Sequence, residues 1–236
     1  MQTTGQIYPR RGLHGELVHR IGLRILRGEL QPGDALPTEE ELAGELAVSR
    51  TVMRESVKVL AAKGLVETRP KTGTRVRPRS GWNLLDPDVL AWRSEASPGG
   101  AFFRNVVELR RIVEPEAARL AAERATAAEI AELERAFRAM EACVDDPDAY
   151  LEPDLRFHDV ILQGCHNELL AHMANMMRAV FRALFVATRT PESIRAATGL
   201  HGAIASAIAA RDGGGADAAM RALIEDTAQQ LERTFS

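Results

Sequence analysis

The sequence predicts a mainly α protein: an N-terminal winged helix-turn-helix followed by an all-α antiparallel helical bundle. Three observations predict it. Residues 13–80 read as helix, turn, short helix, capped helix and two short strands. Beyond residue 100, apolar spacing is helical and is broken by N-cap signals, with no strand-like alternation. The charge divides in the same place: residues 1–80 carry 14 Lys/Arg against 9 Asp/Glu, and residues 81–236 carry 16 against 24. A basic head on an acidic body points to a polyanionic partner for the head.

A chain of 236 residues, 45 % apolar, has room for two modest domains. The expected division is a winged helix-turn-helix DNA-binding domain over 1–78 and a connector over 79–98. An all-helical domain for effector binding and dimerisation follows over 99–236. No apolar run approaches the roughly 18–20 residues that span a bilayer. The opening MQTTGQIYPRRGLHG has basic residues but no apolar segment of the secretory kind. The two cysteines, Cys143 and Cys165, have no metal-type spacing. The expectation is a cytoplasmic protein with reduced thiols.

The first helix is carried by Leu17, Ile21 and Ile25, and Gly28 ends it before a QPGD turn at 31–34. Thr38 and Glu41 then have the form of a capping box, which predicts a short helix to about Ala47. Ser49 caps the next helix, SRTVMRESVKVLAAK, and Gly64 closes it. Met53, Val57 and Leu60 form its apolar stripe; Arg50, Arg54 and Lys58 form a cationic one at i, i+4 and i+8. LVETR, a PKTG turn and TRVRP predict a hairpin, the wing.

In such a unit the second helix of the pair enters the major groove, and residues near its N-terminus reach base edges. Those are Ser49, Arg50, Thr51 and Arg54, with Lys58 one turn further on. Arginine suits this task because its fork donates twice to guanine. The hairpin tip, Lys71, Thr72, Gly73 and Thr74, is placed along the DNA backbone or in the minor groove. A lone charge stripe is more often a solvated helix face. The capped helix pair and the basic wing beside it favour a double-stranded DNA partner.

The connector holds Trp82, Trp92 and an N-cap of the Asp-Pro form at Asp86-Pro87. The tryptophans are expected to pack it onto one of the two domains. Helices are expected over 103–122 with a kink at Pro115, from Thr126 to about Cys143, and then over about 150–165, 168–189, 191–210 and 216–234. Asp154 and His158 share a helix face one turn apart, and His201 opens an apolar segment with Ile204 and Ile208 on its inner side. An Asp with two His can hold a divalent metal with open positions. Asp154 can also cap a helix behind Pro153, and an i, i+4 Asp–His pair can be only an ion pair.

The stretch PGDALPTEEELAGELAVSRTVMRESVKVLAAKGLVETRPKTGTRV resembles the DNA-binding domain of the GntR family of bacterial regulators. The PG-x-x-LP-x-E-x-ELA opening, SRT-x-x-RE and GLV carry the likeness. It implies operator contacts by Ser49, Arg50, Thr51 and Arg54. Glu40 departs from the arginine of many members and implies a different or weaker phosphate contact there.

Residues from about 102 to 234 resemble the FCD ligand-binding domain of the FadR subfamily. The motifs are E-L-R-x-x-x-E-P at 108–115, AAERAT at 121–126, D-x-x-FH at 154–158, HN at 166–167 and H-x-x-I-x-x-AI at 201–208. By position, the resemblance implies a divalent metal, zinc or similar, on Asp154, His158 and His201, with Arg110 facing an effector pocket. The subfamily's third histidine falls at Leu223, which cannot ligate. Two arrangements stay open. A hydroxy acid completes the shell of a metal, or no metal binds and the histidines and Arg110 hold the acid directly. The connector SGWNLLDPDVLAW, VEP-x-x-AR-x-AAERAT and RAVF at 178–181 resemble subfamily members that control sugar-acid catabolism. They imply an aldonate such as galactonate as effector. The resulting expectation is a homodimeric repressor, not an enzyme, bound to a palindromic operator and released by the acid. The alternatives are the same regulator sensing lactate or a uronate-derived acid, and a metal-dependent hydrolase with a DNA-binding head. No nucleophile motif supports the hydrolase.

Overall fold

The structure is a computed structural model that describes residues 12–36, 49–69, 73–96 and 100–235. The chain divides into two compact units, Met1–Pro98 and Gly99–Ser236.

In the first unit, α1 (Gly12–Leu26) buries Leu17, Ile21 and Ile25. α2 (Arg50–Ala62) starts where Ser49 Oγ accepts from the Val52 amide at 3.3 Å. It ends in a Schellman motif: the Gly64 amide donates to Ala61 O and the Leu65 amide to Leu60 O, at 2.9 and 3.0 Å. Gly64 has φ +74°, and a Cβ there would collide with the Gly81 carbonyl, so two constraints select glycine. The short helix expected from Thr38, with Glu40 and Glu41, lies outside the described residues.

The wing is a hairpin of β1 (Val66–Arg69) and β2 (Gly73–Val76), with Val66 opposite Val76 and Arg69 opposite Gly73. Its tip residues Lys71 and Thr72 also lie outside the described residues. The segment after the QPGD turn adds to the sheet edge, where Ala35 bridges Arg75 and the Leu36 amide donates to Thr74 O at 2.9 Å.

The stretch read as a connector contains a short 3-10 turn (Arg79–Gly81) and α3 (Pro87–Ala96). Asp86 Oδ1 accepts from the Asp88 and Val89 amides at 3.0 and 3.2 Å. Trp82, Val89 and Trp92 join Leu17, Ile21, Leu60 and Val76 in one core. Lys63, buried, lies 2.9 Å from Asp86 and 2.5 Å from Asp88. The tryptophans and this ion triad therefore fasten residues 79–96 to the first unit.

The second unit is a helical bundle of α4 (Gly100–Arg124), α5 (Ala127–Ala142), α6 (Pro147–Gly164), α7 (Glu168–Thr188), α8 (Pro191–Ala209) and α9 (Gly213–Phe235). α9 packs on α4 and α8, and α6 packs on α5, α7 and α4. Thr126 with Glu129, and Thr190 with Ser193, close capping boxes at the starts of α5 and α8. α4 continues through Pro115 as one helix and α6 through Pro153. Each proline leaves the carbonyl four residues earlier, of Arg111 and of Ala149, without a helical donor.

α6 starts earlier than its periodicity suggests. Asp146 Oδ1 accepts from the Asp148 and Ala149 amides, both at 3.1 Å, and Pro147 takes the first helical position. Asp154 thus sits inside the helix and is not its cap. α7 is by length and composition apolar enough to cross a membrane. Its stripe of Ala174, Met177, Val180, Phe181 and Leu184 is buried in this unit.

Candidate functional site

α6 carries Asp154 and His158, and α8 carries His201, all three buried. Asp154 Oδ1 lies 3.2 Å from His201 Nε2 and 4.0 Å from His158 Nε2. The two Nε2 atoms are 3.4 Å apart. Sequence periodicity fixed only the pair on α6; the crossing of α8 brings the third donor to it.

The outer ring nitrogens decide what faces inward. His201 Nδ1 is 2.7 Å from the Ala197 carbonyl oxygen, which can only accept. His158 Nδ1 is 3.1 Å from Glu114 Oε2. In the neutral rings both Nδ1 atoms carry the proton, so both Nε2 atoms present lone pairs to each other and to the Asp154 carboxylate. Three electron-rich atoms at these separations call for a cation between them, a proton or a metal ion. Bonds of about 2.0–2.2 Å from one ion to His and Asp donors suit donor separations of 3.2 and 3.4 Å, while the 4.0 Å edge is open.

Arg110 and Glu114, one turn apart on α4, complete the buried set. Arg110 Nε donates to Glu114 Oε1 at 2.5 Å, and Nη2 lies 3.3 Å from Oε2. The guanidinium stands 5.1 Å from the Phe181 ring centre. Burial alone would raise the Glu114 carboxyl; Arg110 and His158 together hold it below its ordinary value. Burial likewise opposes the Asp154 charge; His201 and His158 in their protonated form, together with Arg110, hold its carboxyl down. With neutral histidines the cluster carries one positive and two negative charges, a net of −1.

A cavity of about 60 Å³ opens beside the cluster. Arg110, Asp154, His158, His201, Phe181 and Leu223 are on its wall. A larger cavity of about 300 Å³ lies between α4 and α9, lined by Phe103, Val107, Leu231 and Phe235. It contains none of the residues predicted for effector or metal.

In the first unit, Ser49, Arg50, Thr51, Arg54 and Lys58 are all exposed along α2. Ser49 Oγ serves as the cap, and Lys58 Nζ lies 2.8 Å from Glu55. On the wing, Thr74 Oγ1 lies 3.0 Å from Thr68 Oγ1, and Gly73 has φ +73°.

Residues 13–76 match the model of the gntR family of bacterial regulatory proteins, and residues 105–226 match that of the FCD domain. The chain belongs to the GntR family, with an FCD domain as its second unit. The galactonate operon transcriptional repressor of Escherichia coli is 36 % identical, over 92 % of this chain and 95 % of that protein. The HTH-type regulator YieP of the same organism is 35 % identical, over 93 % and 95 %. The solved structure of Lar of Listeria monocytogenes superposes with a TM-score of 0.67 at 19 % identity, covering 97 % of this chain and 99 % of that one, and so shares the fold.

As a GntR regulator, this protein is a transcription factor whose head binds DNA and whose FCD body is of the effector-binding type. Two features of that FCD body escaped sequence reasoning. Glu114 belongs to the E-L-R-x-x-x-E-P stretch, yet nothing in a single sequence tells a buried glutamate from a solvated one. Its spacing of four from Arg110 was the available signal. The polar face of α9, Asp226, Thr227 and Gln230, also borders the cavity. It follows Leu223 at helical spacing, which is the signal the sequence offers for it.

Proposed function

We propose that this GntR regulator is a homodimeric repressor of a sugar-acid catabolic operon. In this reading an aldonate such as galactonate releases it from a palindromic operator. The observation that carries the sensing half is the convergence of Asp154, His158 and His201 on one point with both imidazole lone pairs inward. With neutral rings the cluster's net charge of −1 disfavours an anionic effector, and a divalent cation on these three donors would reconcile the site with an acid ligand. Bound there, such an ion supplies positive charge and open positions for a carboxylate and its α-hydroxyl.

The protein's own groups do the rest. Glu114 and the Ala197 carbonyl fix the ring tautomers. Arg110, anchored by Glu114, lines the cavity and has N–H groups beyond those bonded to Glu114 for an acid. Leu223 supplies no ligand and leaves room for the acid. A cavity of about 60 Å³ holds roughly four to six waters at ~10–15 Å³ each, space suited to a short acid and not to a long acyl chain. Likeness to the galactonate repressor supports an aldonate within that class.

On the DNA side, the exposed Arg50 and Arg54 suit base readout, with Ser49, Thr51, Lys58 and the wing on the backbone. A two-fold dimer matches a two-fold operator. The acid must bind the DNA-incompetent state more tightly, or nothing shifts. Metal analysis of untagged protein, joined to a thermal-shift screen of aldonates, lactate and uronate-derived acids with and without chelator, tests the proposal. One bound divalent ion per chain and a chelator-sensitive shift with aldonates are expected. Sub-stoichiometric metal after gentle purification, or a response confined to other acids, overturns it.

A further inference from the structure

We infer that Asp226 and Gln230 on α9 are specificity-determining residues that read the distal hydroxyls of a polyhydroxylated acid. The inference rests on the reading that the Asp154/His158/His201 cluster and Arg110 hold the carboxylate end. Asp226, Thr227 and Gln230 lie three, four and seven residues after Leu223, on one face of a helix, and all four border the cavity. With a rise of 1.5 Å per residue, Asp226 lies about 4.5 Å and Gln230 about 10.5 Å beyond Leu223 along the axis. A six-carbon chain with bonds of about 1.5 Å spans roughly 6 Å as a zigzag, longer than the rise from Leu223 to Asp226, so a six-carbon acid lying along α9 extends past Asp226 where a three-carbon acid does not.

The chemistry of the two ends is complementary to such a molecule. Gln230 Nε2 donates to Asp226 Oδ2 at 2.5 Å. A carboxylate offers about four lone-pair sites, and this bond occupies one. Asp226 therefore retains acceptors for hydroxyl donors and repels the effector's carboxylate, which orients the acid with its charged end at the cluster. Burial pushes the Asp226 carboxyl up, and Arg233 opposes that. The Tyr150 and Thr227 hydroxyls, which line the cavity, are committed to the protein. Thr198 Oγ1 donates to Ile194 O at 2.7 Å, so the Tyr150 hydroxyl, 2.9 Å from Thr198 Oγ1, donates to it. Thr227 Oγ1 donates to Leu223 O at 3.0 Å. A short acid such as lactate ends before this face and offers Asp226 no hydroxyl, and a site built to bond a hydroxyl discriminates strongly against an analogue without it.

Calorimetric titration of the full metal-loaded chain with galactonate, gluconate and lactate tests this, using wild type, Asp226→Ala and, separately, Gln230→Met, each checked for an unchanged far-UV spectrum. Wild type is expected to prefer an aldonate to lactate. The aldonate-to-lactate affinity ratio should fall about ten- to a hundredfold in Asp226→Ala, the loss of a charge-assisted hydrogen bond, and less in Gln230→Met. A ratio unchanged in both variants overturns the role of α9 while leaving the carboxylate site standing. Wild type that prefers lactate also overturns it. Wild type that binds none of the three acids overturns both readings together.

Discussion

Glu114 Oε2 lies 3.1 Å from His158 Nδ1, while its other oxygen accepts from Arg110 Nε at 2.5 Å. One buried carboxylate thus balances a guanidinium and sets the tautomer of an imidazole. Glu114→Ala leaves Arg110 buried without its counter-charge and should cost about 3–5 kcal/mol, read as a lower urea midpoint.

The same carboxylate gives the pH dependence a sign. Its pKa in the folded protein lies below the unfolded value of about 4.3. Its stabilisation is therefore complete above that pH and declines as pH falls through the folded value. Wild type should lose stability steeply below about pH 4. Glu114→Gln should lose less over that range in parallel urea titrations.

His158→Ala and His201→Ala each remove one inward lone pair. Operator affinity measured by fluorescence anisotropy should change less than about threefold, since both residues belong to the second unit, while release by the acid disappears. Normal release by either variant would remove the effector assignment. Loss of response with full metal content would separate acid binding from ion binding.

Leu223→His restores the donor type that the FCD resemblance leads one to expect at that position. Divalent metal affinity should rise on the order of tenfold or more, since even outer-shell partners are worth that much. Acid affinity should fall, because the new imidazole occupies space and a coordination position. Competition with a chromophoric chelator measures the first effect and calorimetry the second.

On the DNA side, Arg50→Ala and Arg54→Ala should each cost about 1–3 kcal/mol at the operator and relax preference at one base position. Both side chains are exposed, so the melting temperature should stay within a degree or so of wild type. Equal loss on specific and random duplex would reassign them to phosphate contacts.

Local signals in the sequence were enough for most of the fold. Ser49, Thr126, Thr190-Pro191 and Gly64 act within a few residues of themselves, and their caps stand where spacing put them. α6 starts at Pro147 and not near residue 150, because the DDPD stretch at 145–148, which reads as a break, supplies the Asp146-Pro147 cap. The candidate site was legible only as separate residues. That Asp154, His158 and His201 meet depends on how α6 and α8 cross. The pairing of Glu114 with His158 depends on α4 packing against α6. Such relations join residues tens of positions apart, and no periodicity in one chain encodes them.

The Lys63 triad bears on how duplex affinity should vary with ionic strength. Lys63 is one of three lysines in the chain, yet it is buried between Asp86 and Asp88. Its charge is already balanced by these two aspartates, so it is no free cation for a phosphate. Counterion release on binding is therefore smaller than a simple census of basic residues suggests, with a slope of about −0.9 per phosphate actually neutralised. That slope reports on the exposed cations of α2 and the wing, with residue 63 silent.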